Sequence, residues 1–110
     1  MARTRFGELE EQILLTLLRL GGESYAVPVI QELQRTTGRD VSPATAFMVM
    51  RRLADRGCLE SRLGDPTPVR GGRPKRLFRI VPEAVLPGLR ESRRSMLALW
   101  DGLGPTLDGP

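Results

Sequence analysis

Arg51, Arg52 and Arg56 crowd the end of the stretch Ser42 to Gly57, SPATAFMVMRRLADRG. On a 3.6-residue period Thr45, Met48, Val49, Arg52 and Arg56 share one side of this stretch, and Ala46, Phe47, Met50, Leu53 and Ala54 share the other. The second side reads as core. The first combines apolar side chains with guanidinium groups, an unusual pairing for a face that meets only water. Guanidinium forks fit guanine edges and phosphates, while Met, Val and the Thr methyl fit thymine methyls, so the chemistry implied is contact with a DNA major groove. Bond-making chemistry has little to work with. The 110 residues contain no His and one Cys, which leaves no zinc set and no imidazole base. No glycine loop followed by Lys-Ser or Lys-Thr is present to cradle a nucleotide, so neither an enzyme nor a cofactor is expected.

The elements that must hold this face can be read from their ends. Ser42 is a favoured N-cap, Pro43 suits the first helical position, and Gly57 suits a left-handed stop. Upstream, GELEEQILLTLLRLGG places Leu9, Ile13, Leu14, Leu17, Leu18 and Leu20 on one thickened stripe, with acids in the first turns and Arg19 in the last, which predicts a mostly buried helix closed by Gly21 and Gly22. A second helix is expected to start between Ser24 and Pro28 and to reach Thr37, with Ile30 and Leu33 inward, Gly38 ending it and Tyr25 packing at its start. Two helices joined by the short turn Gly38 to Val41, the second bearing arginines, form a helix-turn-helix pattern.

Downstream, CLESRL and KRLFRIV have strand character, and GDPTPVRGGRP between them is a long proline- and glycine-rich connection. The pair predicts an antiparallel hairpin whose tip carries Arg70, Arg73, Lys75 and Arg76, a wing able to grip a sugar-phosphate backbone. Cys58 beside the first strand reads either as an inert buried thiol or as a redox sensor. In the last segment Val85, Leu89, Met96, Leu99, Trp100 and Leu103 recur at helical spacing, while Pro87 and Gly88 are expected to delay or kink that helix. Its stripe can fold back on its own chain or pair with a second copy, and pairing is the preferred expectation because DNA readers of this size need two half-sites. The fold class expected is thus α+β, mainly α, in one winged helix-turn-helix domain with a two-stranded wing. The divisions are residues 1–81 for the DNA-binding domain, 82–103 for a C-terminal dimerisation helix and 104–110 for a disordered tail.

Net charge is +4 and unevenly spread. Arg39 to Arg79 hold ten basic against four acidic residues, and all the basic residues of the chain but Lys75 are arginine. Arginine in this quantity suits nucleic acid better than lysine would, although a GC-rich coding bias would also raise it. A single cysteine, no leader-like start and no apolar run near the roughly 20 residues of a membrane span lead to the expectation of a cytoplasmic protein without a membrane partner.

The stretches GELEEQILLTLL, SYAVPVIQEL, SPATAFMVMRRLADRGCLES and GGRPKRLFRIVPEA together resemble the PadR family of winged-helix transcriptional regulators, from about Phe6 to Leu103. The single short C-terminal helix is similar to that of the compact branch. The resemblance implies a homodimer joined through its C-terminal helices, with recognition helices in successive major grooves of a palindromic operator, and usually repression relieved by a small molecule. It implies Ser42, Thr45, Met48, Val49 and Arg52 at the groove, Arg51 and Arg56 nearer phosphates, and Arg73, Lys75 and Arg76 on the wing. The chain departs from the family pattern at Phe47, where tyrosine is common, at Leu77 and Phe78 in place of tyrosines, at Val81 in place of a Thr or Ser cap, and at Pro87.

Three functions follow for testing. The first is a homodimeric repressor that binds double-stranded DNA. The second adds a small aromatic effector held by Met96 and Trp100 in a cleft at the dimer centre, where the alternative for Trp100 is plain interface packing. The third is a winged-helix adaptor that binds protein and no DNA.

Overall fold

The computed structural model describes residues 5–64 and 75–109. Helix α1 (Glu8–Arg19), strand β1 (Glu23–Ser24), helices α2 (Ala26–Thr37) and α3 (Pro43–Asp55), strands β2 (Leu59–Leu63) and β3 (Arg76–Ile80), and helices α4 (Pro82–Trp100) and α5 (Gly104–Asp108) follow in order. The architecture is α+β and mainly α, with a winged-helix arrangement.

Local chemistry sets the helix ends. The Thr45 N–H donates to Ser42 Oγ at 3.1 Å, and Pro43 opens α3 where its missing donor costs nothing. At the other end Gly57 takes φ +78°, and the N–H groups of Gly57 and Cys58 return to the carbonyls of Ala54 and Leu53. That paired closure needs a left-handed residue, which glycine adopts without a Cβ clash. Helix α2 also stops at a left-handed glycine, Gly38 at φ +76°, whose N–H donates to the Gln34 carbonyl.

The sheet has three strands in the order β1-β3-β2, all antiparallel. A two-stranded wing is therefore an incomplete description. Glu23 and Ser24 pair with Arg79 and Phe78, so β3 is the central strand and the hairpin is rooted in the body of the domain. Ile13, Leu14 and Leu17 of α1, Val29 of α2, Val49, Met50 and Leu53 of α3, Phe78 and Ile80 of β3, and Val85 and Leu89 of α4 close one core. Phe78 is fully buried at its centre.

Three expectations change at the C-terminal end. Helix α4 starts at Pro82, so Pro87 does not delay it but sits inside it and leaves the Glu83 carbonyl without its usual backbone donor. Val85 and Leu89, expected at a dimer interface, are buried in the chain's own core, because the first half of the α4 stripe is covered by the domain that precedes it. Residues 104–108 of the expected disordered tail form the short helix α5. The second half of α4 is uncovered: Met96, Leu97, Leu99 and Trp100 are all more than half exposed. A radius of gyration of 16.4 Å, against about 13 Å for a compact chain of this length, reflects the resulting elongation.

Candidate nucleic-acid interface

Helix α3 presents Ala44, Met48, Arg51, Arg52 and Asp55 to solvent along one strip. Met48 is 46% exposed, a costly placement for a thioether side chain unless something covers it. Among the described residues neither Arg51 nor Arg52 has an ion-pair partner. Uncompensated guanidinium groups beside an exposed methionine make a face suited to a polyanion with apolar base edges. At its N-terminal end Ser42 and Thr45 hold each other, Ser42 Oγ donating to Thr45 Oγ1 at 2.9 Å, so these hydroxyls are fixed at the helix entry.

Val49 and Phe47 exchange the places expected of them. Val49 is 7% exposed and packs in the core, so it does not reach a groove. Phe47 is 39% exposed and stands edge-on to Phe78, with ring centres 5.9 Å apart and planes at 76°. The Arg51 guanidinium lies 5.9 Å from the centre of the Phe47 ring. The stack Arg51, Phe47, Phe78 thus joins the exposed face of α3 to the central strand of the wing, in geometries that favour both contacts. Phe47 was the residue missed; its signal in the sequence is the position itself, one where the resembling family commonly has tyrosine.

Along the wing, residues of β2 and β3 alternate between two faces. Ser61, Leu63, Phe78 and Arg76 share the face toward α3, and Arg76 Nη1 donates to Ser61 Oγ at 3.1 Å. The opposite face is a charge ladder, with Arg62 on Glu23 at 3.0 Å and Arg79 bonded to Glu60. The Glu60 carboxylate holds the Arg79 guanidinium above its ordinary pKa. Lys75, exposed at the foot of the loop, has no ion pair among the described residues. Below it the hairpin closes through the Gly64 N–H donating to the Lys75 carbonyl at 2.7 Å. A Cβ on Gly64 would lie 2.6 Å from the Tyr25 hydroxyl, so the start of α2 buttresses the wing at a point where only glycine fits without movement. Arg70 and Arg73 lie outside the described residues.

Arg56 does not join this set. It turns to α1, pairing with Glu10 at 2.7 Å, because it projects from the flank of α3 that abuts the start of that helix. Cys58 is buried against the same core, and burial pushes its thiol pKa up, away from the thiolate a redox sensor needs.

A helix-turn-helix, a sheet extended into a hairpin and a basic exposed helix beside it define a winged-helix protein. No protein-family model matches the chain. Among solved structures, a PadR family transcriptional regulator from Eggerthella lenta is similar with a TM-score of 0.64 at 27% identity, over 94% of this chain and 88% of that one. F93 from STIV, a winged-helix DNA-binding protein, has a TM-score of 0.58 at 13% identity over 84% of this chain and 91% of that one, a likeness of fold. Among curated proteins, the transcriptional activator GvpE2 of Halobacterium salinarum is 36% identical over 53 residues, 48% of this chain. The chain matches only 28% of that relative's length. In sequence and fold the chain is PadR-like, similar to winged-helix transcriptional regulators. Among the described residues no helix is long and apolar enough to cross a membrane.

Proposed function

We propose that the chain is a homodimeric regulator of transcription that reads a palindromic operator in double-stranded DNA, most simply as a repressor. Helix α3 enters the major groove, with Ser42 and Thr45 at its entry and Met48 and Arg52 toward base edges. Arg51 lies nearer the phosphates, and Lys75, Arg76 and, from the sequence, Arg70 and Arg73 serve the wing. The observation that supports this reading is the Arg51–Phe47–Phe78 stack, which links the arginines of α3, without ion pairs among the described residues, to the central strand of the wing. A duplex that meets one then meets the other.

The dimer is proposed through the uncovered half of α4, which ends at Trp100 rather than Leu103, and the turn after it, with Met96, Leu99, Trp100 and Leu103 as its contacts. Their exposure supports it, since a stripe of large apolar side chains this wide is seldom left to water. An aromatic effector between Met96 and Trp100 of two copies is a second reading, supported by the same exposure. The domain division remains a proposal of the same kind, residues 1–81 binding DNA and the helix after them joining two copies.

Selection of bound sequences from a random duplex pool tests the whole. The expected result is an enriched motif with two-fold symmetry and half-sites about one helical turn apart. Absence of any retention at low salt would favour the protein-binding adaptor. Cytoplasmic residence is part of the proposal.

A further inference from the structure

We propose that Arg5 is a second, separate phosphate contact, held beside α3 by a clamp that Arg56 forms, so that the duplex is gripped on both flanks of the recognition helix. This rests on the reading that α3 meets a duplex.

The clamp is made by one guanidinium. Arg56 Nη1 pairs with Glu10 Oε2 at 2.7 Å, Nη2 donates to the backbone carbonyl of Arg5 at 3.0 Å, and the guanidinium carbon lies 5.7 Å from the centre of the Phe6 ring. Phe6 also packs against the core. A segment fixed by an ion pair, a main-chain hydrogen bond, a ring contact and an apolar anchor has lost its freedom before any ligand arrives. That lowers the ordering cost of whatever Arg5 binds. Arg5 itself leaves the clamp exposed and, among the described residues, without an acidic partner. Glu10 offsets the charge of Arg56, so among the described residues the cation offered on this flank is Arg5.

Helix geometry decides where that flank lies. Arg56, the residue that caps α3, follows Phe47 by nine positions, and at about 100° per residue the two project in opposite directions. Phe47 marks the wing side through its contact with Phe78. Arg56 therefore marks the other side, and Met48, Arg51 and Arg52 occupy the strip between. A duplex seated on that strip is bordered by the wing on one flank and by Arg5 on the other. Arg56 is then a positioning residue.

The test is fluorescence anisotropy of the full chain on a labelled random-sequence duplex across a salt series, for wild type, Arg5→Ala, Arg56→Ala, the double variant, and Arg90→Ala on the outside of α4 as control. Arg5→Ala is expected to weaken binding roughly fivefold at low salt and to reduce the salt slope by about one, with an unchanged thermal midpoint. Arg56→Ala is expected to give a similar loss, to which adding Arg5→Ala contributes little. Wild-type binding with an Arg5→Ala slope identical to it overturns the clamp and leaves the DNA-binding reading intact. Should the wild type itself show no salt-dependent binding, the reading of α3 fails first and the clamp with it.

Discussion

Phe47 and Phe78 meet edge to face across the junction of α3 and β3, one ring at the surface and the other fully buried. The contact joins a helix whose Arg51 and Arg52 have no ion pair among the described residues to a hairpin with Lys75 and Arg76 where strand β3 begins. Because Phe78 is locked by the core on every other side, Phe47 inherits its rigidity, and Arg51 inherits that of Phe47. Positional precision thus passes from core to surface through two rings.

Phe47→Leu is expected to lose the ring pair and the cation contact while keeping apolar bulk, at a cost of about 1 kcal/mol in stability. Its effect on duplex affinity should exceed that figure, since Arg51 and the wing lose their common support. Phe47→Tyr, restoring the residue common in the resembling family, should keep the midpoint of unfolding and strengthen binding to any duplex. Urea titration and anisotropy on the same samples check both, and a Leu variant that binds as tightly as wild type would contradict the rigidity argument.

Arg52 and the wing should separate specificity from affinity. Arg52→Ala is expected to cost about 1–3 kcal/mol on the operator and to relax discrimination at one base position. Lys75→Ala or Arg76→Ala should weaken all duplexes alike and reduce the salt slope by about one unit. Competition between the selected operator and scrambled duplexes distinguishes the two patterns.

The sequence discloses what is local and hides what depends on remote partners. Ser42, Pro43, Gly38 and Gly57 announce the ends of α2 and α3 because caps and left-handed stops act within a turn. Strand β1 is too short to carry an alternating pattern; it exists because β3 offers it an edge more than fifty residues away in sequence. Phe47 and Val49 both sit near the margins of the core arc of α3, and periodicity cannot choose between them. The choice is made by where β3 places Phe78. Arg56 looks like one more basic residue until α1 supplies Glu10 beside it. Likewise the α4 stripe is evident by spacing, but spacing does not say that Val85 and Leu89 face their own domain while Leu99 does not.

Glu32 should confer acid sensitivity on the helical scaffold. Arg35 at 2.6 Å and then Arg19 at 3.0 Å hold its carboxylate by hydrogen bonds, lowering its pKa from the usual 4.5 to about 2, and the Arg19 bond ties α1 to α2. The folded chain keeps this group charged at a pH where the unfolded chain protonates it. Its stabilising contribution is therefore complete above about 4.5 and is lost as pH falls toward 2. Glu32→Gln should be less stable than wild type near neutrality, with the difference shrinking through that window. Denaturant midpoints measured from pH 6 to pH 2 show it, and a constant gap between the two proteins would refute the assignment.

The division of α4 can be tested by placing one substitution on each half. Leu89→Ala removes a side chain packed in the core and should cost about 2–5 kcal/mol whatever the protein concentration. Leu99→Asp places a charge on a side chain that is 70% exposed in the single chain, so the monomer fold has little reason to suffer. If two copies join through this half, that carboxylate must be desolvated at the seam, and dissociation should follow. Sedimentation velocity is expected to show Leu89→Ala as a destabilised dimer and Leu99→Asp as a folded monomer with weakened operator binding. A Leu99→Asp protein that sediments as the wild type does would move the interface elsewhere, because no seam buries an unpaired aspartate without loss.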